Sequence, residues 1–206
     1  MKQALIVYGG WEGHQPKEVA HILAGALRGE GFGVEMADTL DALEDGEKLK
    51  QLHLIVPQWT MGQITPEQLN PMLDAVREGT GIAGVHGGMG DAFRDQTEYQ
   101  FMVGGQWVAH PGGIVTYLVN IGPVASDITA GIEDFEVTSE QYYMHIDPAI
   151  KVLATTRFGD VAMPVTWTKT YGEGRVFYSS LGHSADVVAL PQVLTMVTRG
   201  MVWAAR

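Results

Sequence analysis

Gly81-Ile82-Ala83-Gly84-Val85-His86-Gly87-Gly88 is an apolar run that ends in an imidazole followed by a pair of glycines. A short, unbroken apolar stretch with no polar alternation reads as a strand buried on both faces, the pattern of a parallel sheet covered by helices. The glycines permit positive φ and a sharp strand-to-helix turn. His86 is therefore expected at an elbow, with its side chain projecting at the carboxyl end of the sheet.

The chain before this run repeats the strand–helix rhythm. Thr65-Pro66-Glu67-Gln68 opens a helix, with Thr65 as N-cap, Pro66 at the first helical position and Gln68 placed for a capping box, and the helix is expected to reach about Glu78. Residues 52–57 read as a strand stopped by Pro57, residues 34–36 as another and residues 4–8 as the first. Between the first two lie Val19, Ile22, Leu23, Ala26 and Leu27 at helical spacing. Such alternation predicts right-handed crossovers in a doubly wound α/β sheet with helices on both faces. The second half is richer in strands, expected at 114–121, 135–137, 152–156, 163–167 and 175–180, and a helix over 190–204 closes the chain. The carboxylates between Asp38 and Glu47 read as a solvated face.

With 206 residues, 46% hydrophobic and 18% charged, the sequence fits one domain over 1–206. A net charge of −11 opposes nucleic acid and anionic membrane surfaces as partners. No run approaches the roughly 18 apolar residues of a membrane span, and the first apolar stretch is too short for a signal peptide, so a cytoplasmic protein is expected. Cysteine is absent, which removes disulfides, thiolate metal sites and a thiol nucleophile. Any divalent metal must be held by histidine and carboxylate, a ligand set that suits Zn, Mn, Fe, Co or Ni. No motif calls for a nucleotide cofactor. A two-fold homo-oligomer is the expected assembly of such a chain.

Ligands of open α/β sheets bind beyond the carboxyl ends of the strands. The residues there are Trp11 and His14 after the first strand, Trp59 after the third, His86 to Asp91 after the fourth and His183 after the strand at 175–180. Three separate strand ends thus deliver a histidine. His110 lies in a loop stiffened by Pro111, Gly112 and Gly113; Glu140 stands in the uncharged aromatic segment Ser139-Glu140-Gln141-Tyr142-Tyr143, where desolvation is expected to raise its pKa toward acid–base use. His86, Glu140 and His183 are the expected catalytic groups. Trp11, His14, Trp59, Gly87, Gly88, Trp107 and Tyr142 are the expected substrate contacts, and His86, His110 and His183 the expected metal ligands. His21 and His53 lack any glycine context and read as structural, and nothing assigns a role to His145.

The ordered set Gly84-Val85-His86-Gly87-Gly88, Gly104-Gly105-Gln106-Trp107 with His110-Pro111, Glu140-Gln141-Tyr142, Pro164-Val165-Thr166-Trp167 and residues 171–183 resembles the trehalose-utilisation, or ThuA-like, family. The resemblance implies a flavodoxin-like fold of the class I glutamine amidotransferase-like superfamily. Its catalytic members carry a cysteine at the elbow and a late His-x-Glu. Here the elbow residue is His86, and Ala185 stands two residues after His183, so thiol-based glutamine hydrolysis is excluded. The family is linked to bacterial use of trehalose and related disaccharides through 3-keto sugars. That implies a small sugar as ligand and an enzyme that isomerises, eliminates or hydrolyses a keto disaccharide by His/Glu chemistry, with or without a metal. The alternatives are a non-catalytic sugar-sensing or structural module on the same scaffold, and an amidotransferase-type partner subunit.

Overall fold

The computed structural model describes all 206 residues. Five parallel strands form one half of a nine-stranded sheet: β1 (Gln3–Gly10), β2 (Gly33–Ala37), β3 (Leu54–Thr60), β4 (Gly81–Val85) and, late in the chain, β11 (Gly174–Ser179). Helices α1 (Pro16–Gly29), α2 (Gly46–Gln51) and α3 (Pro66–Arg77) join the first four, and the short α4 (His86–Gly90) follows β4 directly. After α5 (Thr97–Val103) come β5 (Gly105–Ala109), β6 (Ile114–Ile121), β7 (Phe135–Glu140), β8 (Tyr143–Ile146), β9 (Lys151–Phe158) and β10 (Val161–Tyr171); α6 (Ala185–Val188) and α7 (Pro191–Ala204) end the chain.

The sheet order is β2-β1-β3-β4-β11-β10-β9-β6-β7. Its first five members repeat the flavodoxin-like order. The remainder extends the sheet with antiparallel pairs, which gives the second half its strand-rich character. Helices cover both faces. Val19, Leu23 and Leu27 of α1 and Val193, Met196, Val197 and Met201 of α7 pack on one side with Ile6, Val56 and Val85. Leu49 of α2, Met72 and Val76 of α3 and Met102 of α5 pack on the other with Leu5, Ile55, Ile82 and Trp167. No helix is long and apolar enough to cross a membrane.

The capping of α3 follows the sequence pattern: Gln68 accepts from the Thr65 N–H at 3.1 Å. The third strand differs from expectation, because Pro57 does not stop it and β3 continues to Thr60. Its ladder with β4 covers only Leu54 and Ile55, so the strand is paired on one side where the proline falls, and a missing N–H is tolerated there. The sequence pattern also missed the β5–β8 ribbon, a separate antiparallel pair. That ribbon matters to the site. The chain leaves β7 at Glu140, passes through Gln141 and Tyr142, and enters β8 beside β5. Gln141 secures the corner by donating to Thr156 Oγ1 at 2.8 Å and to the Arg157 carbonyl at 3.1 Å.

Candidate functional site

The elbow forms as the sequence suggests, with one correction. The positive φ belongs to His86 itself, at 46°, while Gly87 and Gly88 have ordinary φ. The glycines are needed for close approach. A Cβ on Gly87 would lie 2.6 Å from the His14 ring, one on Gly88 2.3 Å from Gln58 Oε1 and one on Gly90 2.2 Å from the Tyr178 hydroxyl. The left-handed His86 backbone is held by a Tyr178 hydroxyl donating to its carbonyl at 3.0 Å. Gly87 and Gly88, expected among the substrate contacts, are buried under His14 and Gln58 and make room for the side chains above them.

Four elements deliver the polar centre. His14 comes from the 3-10 turn after β1, His86 from the elbow after β4, His183 from the loop after β11 and Glu140 from the end of β7. Gln15 ties two of these together, since its Oε1 accepts from the Ala185 N–H at 2.9 Å and locks the His14 turn to the His183 loop. Three imidazole nitrogens converge on one oxygen, Glu140 Oε2: His86 Nε2 at 3.1 Å, His183 Nδ1 at 3.3 Å and His14 Nε2 at 3.6 Å. On the other oxygen, Oε1, His110 Nε2 stands at 3.6 Å. His86 also donates through Nδ1 to the Ser180 carbonyl at 2.7 Å, and His14 Nδ1 lies 2.8 Å from Thr60 Oγ1.

Burial separates these groups by role. His86 has no exposed surface and its pKa is pushed down to about 4 by desolvation, against the raising effect of Glu140. The expectation that Glu140 has a raised pKa is overturned. Desolvation does push it upward, but the imidazoles of His14, His183 and His86 that face it together outweigh burial and hold the carboxyl well below the ordinary range. Glu140 is thus held as a carboxylate facing the imidazoles around it.

A crevice of about 90 Å³ opens above Glu140 and His14, walled by Trp11, Trp107, His110 and Tyr142. Trp11 is 47% exposed at its rim, and its ring meets His14 edge-on at 4.7 Å. Tyr142 is buried and stacks on His86 at 4.0 Å. Trp59, expected among the substrate contacts, does not line the crevice. Its half-buried ring lies over Gly9 and Gly62, on the stretch of β3 that runs on past Pro57. The structure adds Asp91 and Arg94, which the sequence reading left without a role: Arg94 grips Asp91 bidentately at 2.6 and 2.8 Å and stacks over Trp107 at 4.6 Å. Their i,i+3 spacing was the available signal. His21 is exposed on α1, and His53 Nδ1 accepts from the Gln3 N–H at 3.2 Å, so both lie outside the site. His145 is also outside it, bordering a larger depression of about 470 Å³ beside the β5–β8 ribbon. There Asp147 is already paired with Lys169 at 2.7 Å, and no cluster of acid–base groups converges.

Of the three expected metal ligands, His86 and His183 meet on one carboxylate oxygen, whereas His110 faces the other and His14 occupies the third place. The ligand atoms of His14, His86, Glu140 and His183 all lie within 4.8 Å of one another.

The comparisons with known proteins agree with this architecture. Among solved structures, a ThuA-like protein from Parabacteroides merdae superposes with a TM-score of 0.81 at 19% identity, over 98% of this chain and 89% of that one. A cytoplasmic protein from Salmonella typhimurium LT2 superposes at 0.72 with 15% identity, over 99% and 100%. A β-galactosidase from Bacillus circulans sp. alkalophilus is similar over 99% of this chain but only 31% of its own, with a TM-score of 0.64 and 14% identity. No curated protein sequence matches. At these identities the structural neighbours establish the fold alone. The family model described as trehalose utilisation matches residues 3–204, nearly the whole chain. The chain belongs to the ThuA, trehalose-utilisation, family.

Proposed function

We propose that this protein is a cytoplasmic carbohydrate-utilisation enzyme that takes a 3-keto disaccharide or glycoside and moves a proton at the carbon next to its ketone. The observation that carries this reading is the crevice itself, in which Glu140 and His110 lie beneath three aromatic rings. Aromatic faces pack on the C–H surfaces of a pyranose, and the carboxylate and imidazoles meet its oxygens. A crevice of about 90 Å³ is well below the roughly 300 Å³ of sites that enclose a whole small molecule. One edge of one sugar ring enters, and the rest lies across Trp11.

His110 is the group best suited to the proton. It borders the crevice, and Glu140 Oε1 at 3.6 Å can orient it as the buried partner of a catalytic imidazole does. In this reading the proton on the carbon adjacent to the ketone passes to His110, and the electron pair moves into the carbonyl to give an enediolate. Reprotonation isomerises the sugar. Expulsion of the glycosidic oxygen from the neighbouring anomeric carbon cleaves the disaccharide. His86 is a positioning residue, since it reaches the reaction only through Glu140. His183 stands behind the same carboxylate, with 21% of its side chain exposed. Backbone N–H groups after an elbow can serve as an oxyanion site, but here the glycines that would supply them are covered. Arg94, beside Trp107 at the mouth, is the better placed donor.

A non-catalytic sugar-sensing module is the second reading. The observation in its favour is the elbow, where a fully buried imidazole stands in place of an accessible nucleophile. Incubation with 3-keto-trehalose and related 3-keto glycosides, followed by mass spectrometry, separates the two. Enzymatic turnover abolished in His110→Ala supports the proposal. Binding without turnover moves the protein to the sensing class.

A further inference from the structure

Hydrogen bonding alone leaves the centre of the site unsatisfied. A carbonyl only accepts, so the 2.7 Å contact with Ser180 places the proton of a neutral His86 on Nδ1 and turns the Nε2 lone pair toward Glu140 Oε2 at 3.1 Å. Two acceptors in contact repel unless a proton or a metal cation lies between them. His14 Nε2 and His183 Nδ1 face the same oxygen, and both are buried with no hydrogen-bond partner. No lysine or arginine offsets the charge, because every ionic partner of Glu140 is an imidazole. Buried carboxylates are ordinarily paired or coordinate a metal.

We infer that His14, His86, Glu140 and His183 bind one divalent transition-metal ion, with zinc the best match. Four ligands at about 2.05 Å from a tetrahedral zinc stand about 3.3 Å apart. The three nitrogen-to-Oε2 separations of 3.1, 3.3 and 3.6 Å bracket that spacing. The outer contacts also have the form that metal-binding histidines use, with the far ring nitrogen held by a backbone carbonyl for His86 and by a hydroxyl for His14. Three imidazoles and one carboxylate favour first-row transition ions over magnesium or calcium, which take oxygen ligands. His110 stays outside the set because it faces Oε1. Arriving by separate routes from β1, β4, β7 and β11, the ligands are assembled only in the folded chain, so the ion also ties the two halves of the sheet together. The inference is independent of the sugar chemistry, since metal binding is measured without substrate.

The test is elemental analysis of the full chain purified without chelator, then chelator treatment and titration with Zn²⁺ or Co²⁺ alone. One ion per chain is expected, with the visible absorption of tetrahedral Co²⁺ and a rise in Tm on loading. His14→Ala and Glu140→Gln should each weaken binding by more than about 100-fold, and Thr60→Val, which removes only the outer contact to His14, by roughly 10–100-fold. His21→Ala, distant on α1, should bind like the parent protein. Circular dichroism identifies any variant that fails to fold, and Thr60→Val then decides the question. Substoichiometric binding of Zn²⁺, Co²⁺, Mn²⁺ and Ni²⁺ by the folded protein, or binding unchanged by Thr60→Val and His14→Ala, overturns the inference and leaves protons as the only occupants.

Discussion

Gly87→Ala should damage the site by pushing on a histidine from behind. The added Cβ would lie 2.6 Å from Cε1 and Nδ1 of His14 and 3.0 Å from Thr60 Cγ2. Ordinary carbon contacts need about 3.5–4.0 Å, so the imidazole must retreat by about 1 Å. It has little space, since the rings of Trp11 and His183 stand 4.7 and 5.1 Å from it. Retreat also breaks the 2.8 Å contact to Thr60 Oγ1. Overpacking costs about 1–3 kcal/mol and a lost buried hydrogen bond about 0.5–1.5 kcal/mol, so a total near 2–4 kcal/mol is expected. Urea denaturation with an unchanged m-value reads this as a lower midpoint. Turnover should fall further than stability, because His14 Nε2 leaves Glu140. A variant within about 0.5 kcal/mol of the parent and fully active would refute the claim that the glycine exists for close approach.

Three further outcomes test other parts of the account. Gly25→Ala, at an exposed point of α1 with nothing within 4 Å of the new Cβ, should stabilise the protein by about 0.4–1 kcal/mol in the same denaturation assay. In metal-free protein, His86 stays neutral down to about pH 4 whereas the unfolded chain takes up its proton near 6.5, so stability is lost as pH falls through that window. The loss is about 3 kcal/mol in total, and it should shrink in His86→Gln; equal acid sensitivity of the two proteins would contradict the assignment. Trp11→Ala should raise KM for a disaccharide several-fold with little change in kcat, because the ring is a rim platform away from the proton transfer; steady-state kinetics would expose the opposite split.

Much of the architecture was legible because it is local. The buried run at 81–85, the proline-led start of α3 and the helical spacing in α1 each need only a few neighbouring residues to be read. The rule that strand ends carry function then pointed to His14, His86 and His183. What escaped depends on distant partners. Pro57 looked like a stop, and only the short ladder between β3 and β4 shows why the strand continues through Trp59 to Thr60. The direction of the Glu140 shift required three imidazoles from three other segments, which no local window contains. The division of labour between His14 and His110 depends on which carboxylate oxygen each one faces, and that is fixed by the β5–β8 ribbon, whose pairing leaves no short-range pattern.

Deuterium exchange is the most direct check on the central claim that this crevice moves a proton next to a sugar ketone. A 3-keto disaccharide is incubated with the protein in D₂O, and label at the carbon adjacent to the ketone is followed by NMR. Exchange well above the solvent background is expected, with a drop toward that background, about 100-fold or more, in His110→Ala. Background-level exchange with the parent protein, or undiminished exchange in His110→Ala, would contradict it.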